Sequence, residues 1–567
     1  MFLFRINKHI YRTCFYVATL SFLLIGMINF AACSQQQTES KHITEGQIAP
    51  LLDGMGNHHF KISTNDTLAQ DFFNQGLILS YGFNHKEAQR TFRQVAKLDS
   101  ENPMAWWGAA LVLGPNINAA MAEDNIPRAW EALQKAQKLK ENGTQKEQDY
   151  IDALSYRYSK NPPEDRMPLD SAYAKAMGEL AGKYPDDLDA KTLHVEALMD
   201  LHPWNYWKPN GDPHPWTPEI LNILESVIDR DPDHPGANHL YIHAVEAQRP
   251  ENALSSANRL RSLVPGAGHL VHMPSHIYIR TGDYHEGTLA NERAVKADNK
   301  YVTQCRQQGI YPLAYVPHNY HFLWATATME GRGERSLEAA KNTSELVDTK
   351  TMREPGMGTL QHYWVIPLYD HVRFARWDEI LSYPEPADDL IYPRGVWHYA
   401  NGMAYIGKGD LDNAASELAK LKTIAVEDTL QEVTIWDINT TKELMQIASR
   451  VLEGELKAQQ DNLDKAIELL NEAVKIEDQL NYNEPPDWFF PVRHNLGSIL
   501  LKADRPAEAE EVYRQDLKKF PENGWSLYGL WQSLQAQGKK SEADEIKKKF
   551  EEAWKYADVK LTESREL

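Results

Sequence analysis

Apolar positions recur along most of this chain at intervals of three and four residues, in blocks about a dozen residues long that are punctuated by Gly, Pro, Asp and Asn. In "KAIELLNEAVKIED", beginning at Lys465, the residues Ala466, Ile467, Leu470, Ala473 and Val474 fall on one face, and the same reading applies to "EAQRTFRQVAKLDSENPMAWWGAA" from Glu87. That period predicts amphipathic helices. The helices come in pairs. Ala509, Tyr513 and Pro521 stand at offsets of 0, 4 and 12, and the next equivalent alanine, Ala543, follows Ala509 by 34 residues. The same offsets recur at Ala253, Ala257 and Pro265, with Gly287 at 34. Gly402 and Gly497 stand twelve residues before Ala414 and Ala509, where two helices must approach closely.

These residues resemble the tetratricopeptide repeat, or TPR. A lone helical hairpin cannot bury its apolar face, so neighbours cover one another and a superhelix grows. The fold class expected is therefore all-α: a TPR-like helical-hairpin superhelix, or α-solenoid, with long inserted loops, spanning roughly residues 65 to 557. The prolines after "VP", "DP" and "FP" end one repeat before the next begins. The pattern breaks at 203–218 ("PWNYWKPNGDPHPWTP"), 298–317 ("DNKYVTQCRQQGIYPLAYVP") and 482–491 ("YNEPPDWFFP"). Their aromatic content argues against disorder, and they are expected to fold over the concave face. The breaks divide the array into repeats at 65–201, a histidine-rich region at 202–330, degenerate repeats at 331–481, a C-terminal pair at 482–557 and a tail at 558–567.

The first 33 residues stand apart. Arg5, Lys8 and Arg12 precede an apolar run from Phe15 to Phe30, which leads into "AAC" ending at Cys33. This is the pattern of a secretory signal, and it resembles a bacterial lipobox, which implies lipidation of Cys33. Phe30 is bulkier than the aliphatic residue that pattern carries three positions before the cysteine. An uncleaved signal anchor is the alternative, although 16 apolar residues are few for a span of about 20. The reading places residues 34–64 as a polar tether and the body on a lipid anchor in the bacterial cell envelope, on the periplasmic or outer-membrane side. After cleavage only Cys33 and Cys305 remain, so no intrachain disulfide is expected; Cys305 is either a lone ligand or a small buried side chain.

The formal charge of −20 argues against nucleic acid as a partner and towards neutral or cationic ligands. The expected partners are a protein, a peptide or a small ligand in the groove, and the membrane through the anchor.

The candidate chemistry lies in three stretches. "GAGHLVHMPSHIY" carries His269, His272 and His276, with Pro274 between the last two. "HPGANHLYIHAVEAQRP" sets His239, His243 and Glu246 on one helical face, and "PHNYHFLWATATMEGR" sets His318 and His321 one turn apart. All three look like first helices of successive repeats, which line the groove of a TPR array, so these eight residues can converge on a transition metal: iron, copper or zinc. Isolated histidine pairs at helical spacing also arise as packing. Counting from Pro265 and from Gly287 gives registers that disagree by two residues, which predicts a bend at Pro274 or a helix starting there. Asn84, His85, Trp204, Trp207, Arg280, Tyr315 and Asn319 are further candidates. "GMAYIGKG" mimics a phosphate loop but has no Ser or Thr after Lys408, so no nucleotide is expected, and GxSxG and dinucleotide fingerprints are missing.

Two functions follow: a binding module with a histidine-lined metal or ligand site, and, as the alternative, a metal-dependent oxidoreductase or hydrolase using the same histidines. The chain also resembles a broad group of long bacterial TPR proteins carrying "GHLVHMPSHIY"-like and "PHNxHF"-like stretches, which implies the fold and leaves the function open.

Overall fold

The computed structural model describes residues 46–208, 210–305, 311–488 and 490–567, with the side chains of residues 303–305 and 312 outside that description. The signal segment, the Cys33 lipidation site and the Cys305 side chain therefore lie outside the described residues. Within them, antiparallel helix pairs follow one another: Thr67–Tyr81 with His85–Leu98, Pro274–Thr281 with Tyr284–Cys305, Val316–Met329 with Gly333–Glu345, Ile391–Gly407 with Leu411–Ile424, Thr441–Gln459 with Leu463–Glu477, Val492–Lys502 with Pro506–Lys519, and Gly524–Ala536 with Lys540–Ala553. The strands among the described residues are a two-residue antiparallel pair, Thr434–Ile435 with Asn439–Thr440. This is the all-α, TPR-like array that the 34-residue period implies.

Local chemistry starts and stops the helices. Asp66 and Asn102 accept hydrogen bonds from the first backbone amides of their helices, and Thr144 with Glu147 forms a reciprocal capping box. The turn between paired helices needs one left-handed residue, which is Gly282, Gly331, Gly409 or Gly538 in four hairpins and Asp461 or Asp504 in two. Small residues set the spacing, as the sequence predicts. A Cβ on Gly497 would lie 2.3 Å from Tyr513 Cζ, and one on Gly402 2.5 Å from Leu452 Cδ2.

The array turns back on itself. Trp525 Nε1 donates to the Thr328 carbonyl at 3.0 Å, Gly333 N donates to Asp558 Oδ1 at 2.7 Å, and the Arg373 guanidinium stacks 3.5 Å from the Trp525 ring centre. At the other end the Thr67–Tyr81 helix packs on Pro235–Val245.

Three expectations are corrected. The tether does not reach residue 64: Ala49, Phe60 and Ile62 are buried, and Gly266 N donates to the Gly54 carbonyl at 2.8 Å, because apolar side chains spaced along 49–62 bind this segment across the first repeats. The tail 558–567 is not free, since Ser564 and Arg565 are buried and Arg565 pairs with Glu455 at 3.1 Å. The 298–317 break is not one long loop: its start continues the Tyr284–Cys305 helix, and Tyr311–Tyr315 forms a π-turn.

Candidate metal centre

Pro274 ends one short helix, Gly268–His272, and opens the next, Pro274–Thr281. Lacking an amide hydrogen, it occupies a first helical position, as one of the two expectations had it. This break, with the Pro235–Val245 and Val316–Met329 helices on either side, gathers the imidazoles into two triads. His239, His243 and His269 form one, and His272, His276 and His318 the other; in each, one candidate ligand atom per residue lies within 4.8 Å of the others. The triads adjoin, with ring centres 5.6 Å apart for His243 and His276 and 5.8 Å for His269 and His272.

In the second triad hydrogen bonding fixes the tautomer of His272. Asn291 Nδ2 donates to the Gly287 carbonyl, which leaves its Oδ1 to accept from His272 Nδ1 at 2.7 Å. His272 Nε2 therefore presents a lone pair, 3.0 Å from His276 Nε2. His276 Nδ1 hydrogen-bonds Glu484 Oε2 at 2.9 Å. Burial lowers His272 to about 4 and, with neighbouring imidazoles, holds His276 well below the usual imidazole range, so both rings are neutral and available as ligands. The spacing suits a metal ion. Two imidazole nitrogens at about 2.0–2.1 Å from a tetrahedral zinc stand roughly 3.3 Å apart, close to what is seen.

In the first triad His239 Nδ1 hydrogen-bonds the Tyr81 carbonyl, leaving Nε2 bare. His239 Nε2 and both nitrogens of His243 and of His269 are buried without a hydrogen-bond partner. Buried polar groups are almost always paired, and these nitrogens could serve as the ligands of a cation. Phe83, Trp204 and Tyr315 wall the triad, with ring centres 4.6 Å from His239, 5.0 Å from His243 and 5.0 Å from His269 respectively.

Two buried acids stand beside these rings. Glu246 Oε2 lies 3.4 Å from His243 Nδ1 and 3.3 Å from His276 Nδ1. Burial raises Glu484 to about 8 against the opposing charge of Arg280, and burial with the nearby Glu484 raises Glu246 well above the carboxylate range.

One sequence pairing is separated. His321 leaves His318 and packs towards His362, at 5.4 Å between ring centres, although the two residues are three apart on the Val316–Met329 helix. Among the secondary candidates, Trp204 and Tyr315 touch the first triad, and Arg280 lies 3.7 Å from Glu484. Asn84 instead accepts from Tyr301, Asn319 donates to Asp298, Trp207 donates to the Ala244 carbonyl, and His85 lies 3.4 Å from Asn116. Sequence reasoning missed Glu484, Asn291 and Phe83. Glu484 sits in the flagged 482–491 break, and Phe83, φ +54°, occupies the turn position that other hairpins give to Gly or Asp.

A further cluster, His58, Asp189 and His234, is of another kind. His234 Nδ1 accepts from Ala237 N, its Nε2 faces Asp189 Oδ1 at 3.3 Å, and Tyr81 and His58 also bond that oxygen. Every group there has a partner, so it is a structural network.

No family model matches the chain, and no curated protein matches its sequence. Solved structures similar to it include the human IFIT1 dimer with m7Gppp-AAAA, at 12% identity over 88% of this chain and 91% of that one, TM-score 0.30. Another is the APC/C hetero-tetramer Cut9-Hcn1, at 12% identity over 86% and 76%, TM-score 0.30. A third is Naa15/Naa10 bound to HypK-THB, at 13% over 87% and 70%, TM-score 0.22. These likenesses bear on the helical-repeat fold alone. One of these structures is solved with m7Gppp-AAAA, against the expectation of no nucleic-acid partner, and that expectation is withdrawn.

Proposed function

We propose that this chain is a helical-repeat metal-binding protein of the bacterial cell envelope, held there by a lipid on Cys33, whose His272, His276 and His318 bind a first-row transition ion such as iron, copper or zinc. The observation that carries this reading is the convergence of these three imidazoles from three separate helices, with one candidate ligand atom of each within 4.8 Å of the others. The test is elemental analysis of the full chain, extracted in detergent without a histidine tag or chelator. About one or more equivalents of iron, copper or zinc, reduced in a His272→Gln, His276→Gln variant, supports it. No metal before or after reconstitution overturns it.

A metal-dependent hydrolase or oxidoreductase is the second reading. Three imidazoles leave a coordination position open, and the partly exposed His318 with the buried acids Glu246 and Glu484 gives that position a solvent side and proton-accepting groups. Turnover of an activated ester or of an oxidisable substrate by the metal-loaded chain, lost with the same variant, would decide for it.

A further inference from the structure

Three features beyond that centre were candidates for chemistry. The His58, Asp189 and His234 cluster is internally satisfied, and the buried Arg373, His494 and Asp516 relay is a closed chain of donors and acceptors at 3.0 Å each. The first imidazole triad is neither.

We infer that the chain holds two transition ions rather than one, the second at His239, His243 and His269, and that the Glu246 carboxylate couples the two sites. This inference rests on the metal-binding reading of the first centre. Two independent observations support it. The first is the set of orphaned nitrogens. His239 is fixed by the Tyr81 carbonyl so that Nε2 is bare, while His243 and His269 have no partner at either nitrogen, although all three rings are buried. Neutral imidazole needs one donor and one acceptor contact, and here both are unmet on two of the three rings. A cation accepting one lone pair from each ring would meet the acceptor contacts of all three at once.

The second observation is the position of Glu246. It follows the Pro235–Val245 helix directly, so a three-residue step from His243 turns its side chain back along the same face. Its Oε2 has no hydrogen-bond partner and lies between His243 Nδ1 of one triad, at 3.4 Å, and His276 Nδ1 of the other, at 3.3 Å. With each Nε2 turned to its own ion, His243 Nδ1–H faces this oxygen, and His276 Nδ1–H lies between it and Glu484 Oε2, at 3.3 and 2.9 Å. A carboxylate taking the outer proton of a ligating imidazole orients the ring and strengthens it as a ligand. Glu246 alone reaches a ring of each site, and its negative charge lies between two cations whose ligand rings are less than 6 Å apart.

The ions expected are those that favour imidazole, namely zinc, copper or iron, rather than calcium or magnesium, which take oxygen ligands. The experiment is zinc(II) titration of the metal-stripped full chain against a chromophoric chelator, with native mass spectrometry counting bound ions. Two zinc ions per wild-type chain are expected. His239→Gln with His243→Gln should leave one, His272→Gln with His276→Gln should leave the other, and Glu246→Gln should keep both but weaken both by about 10–100-fold. One zinc in the wild type, removed by the His272 and His276 pair alone, overturns this inference and leaves the first centre standing. No zinc at all overturns both. A Glu246→Gln effect on one site only overturns the coupling. If a histidine variant loses its helical signal, the wild-type count and Glu246→Gln still decide.

Discussion

Trp204 stands edge-on to His243 with the two ring centres 5.0 Å apart, on a backbone turned to φ +58°. A bulky residue in that left-handed region is strained by about 1–2 kcal/mol relative to glycine. The strain is tolerated at a place where the indole, 41% exposed, covers a buried imidazole. Trp436, φ +53°, repeats the relationship against His318 at 5.9 Å.

Replacing Trp204 by glycine should therefore separate stability from access. The midpoint of urea unfolding should stay within about 1 kcal/mol of wild type, since strain relief offsets lost contact. The rate at which an external chelator removes metal should rise severalfold. An unchanged rate would show that the indole does not screen His243.

The small-residue positions make a stability prediction. Gly497→Ala places a methyl 2.3 Å from Tyr513 Cζ, and Gly529 meets the same ring from the other side at 2.2 Å. The ring is clamped and cannot move aside. Gly497→Ala should cost about 1–3 kcal/mol in chemical denaturation, whereas Gly356→Ala, with no atom within 4 Å of the added carbon, should cost only the strain of its φ of +79°.

Arg157 and Asp200 form a buried pair in the N-terminal repeats, 2.8 Å apart and 2% and 3% exposed. Arg157 also donates to the Pro115 carbonyl. Asp200→Ala removes the ion-pair partner of that guanidinium and should destabilise by about 3–5 kcal/mol, read as a lower thermal midpoint. The double change Arg157→Met with Asp200→Ala should recover part of the loss.

A pH dependence follows from His58 and Asp189. Burial lowers His58, but its hydrogen bond and charge contact with Asp189 outweigh this and leave it raised above about 6.5. Burial raises Asp189, but hydrogen bonds from His234 and His58 outweigh it and hold the carboxyl far below its usual range. The histidine contribution is complete below pH 6.5 and is lost as pH rises through the folded value; the aspartate contribution is complete above about pH 4 and is lost below it. The effect of His58→Leu should therefore be greatest between about pH 4 and 6.5, at roughly 1–3 kcal/mol, and smaller at pH 9. Equal destabilisation at pH 5.5 and pH 9 would remove the ionic component from this account.

Removal of residues 558–567 tests the packed end. Arg565 reaches Glu455, Ser564 donates to the His494 carbonyl, and Leu561 is buried. The truncated chain should be cut faster by protease within the C-terminal repeats and should melt earlier. An unchanged melting midpoint would make this segment a passive cover.

Much of the array was legible because it depends on local periodicity: the Ala509, Tyr513 and Pro521 offsets and the glycines opposite large side chains need only neighbouring repeats. The histidines were legible as a group because helical spacing places His239 with His243, and because Pro274 signals a bend. Their division into triads was not. It depends on which way one helix turn directs His321, and on partners distant in sequence such as Glu484. The segments 46–64 and 558–567 looked free because their apolar residues, such as Phe60 and Leu561, are too sparse to show a period, although each finds a slot on the repeats.

His276 and Glu484 are separated by 208 positions. An open solenoid can nucleate at any repeat and grow along its axis, but this contact closes a circuit that such growth does not complete. During synthesis the histidine-bearing repeats emerge long before the acid that hydrogen-bonds His276, so a chain truncated before Glu484 can form those helices yet lacks this contact.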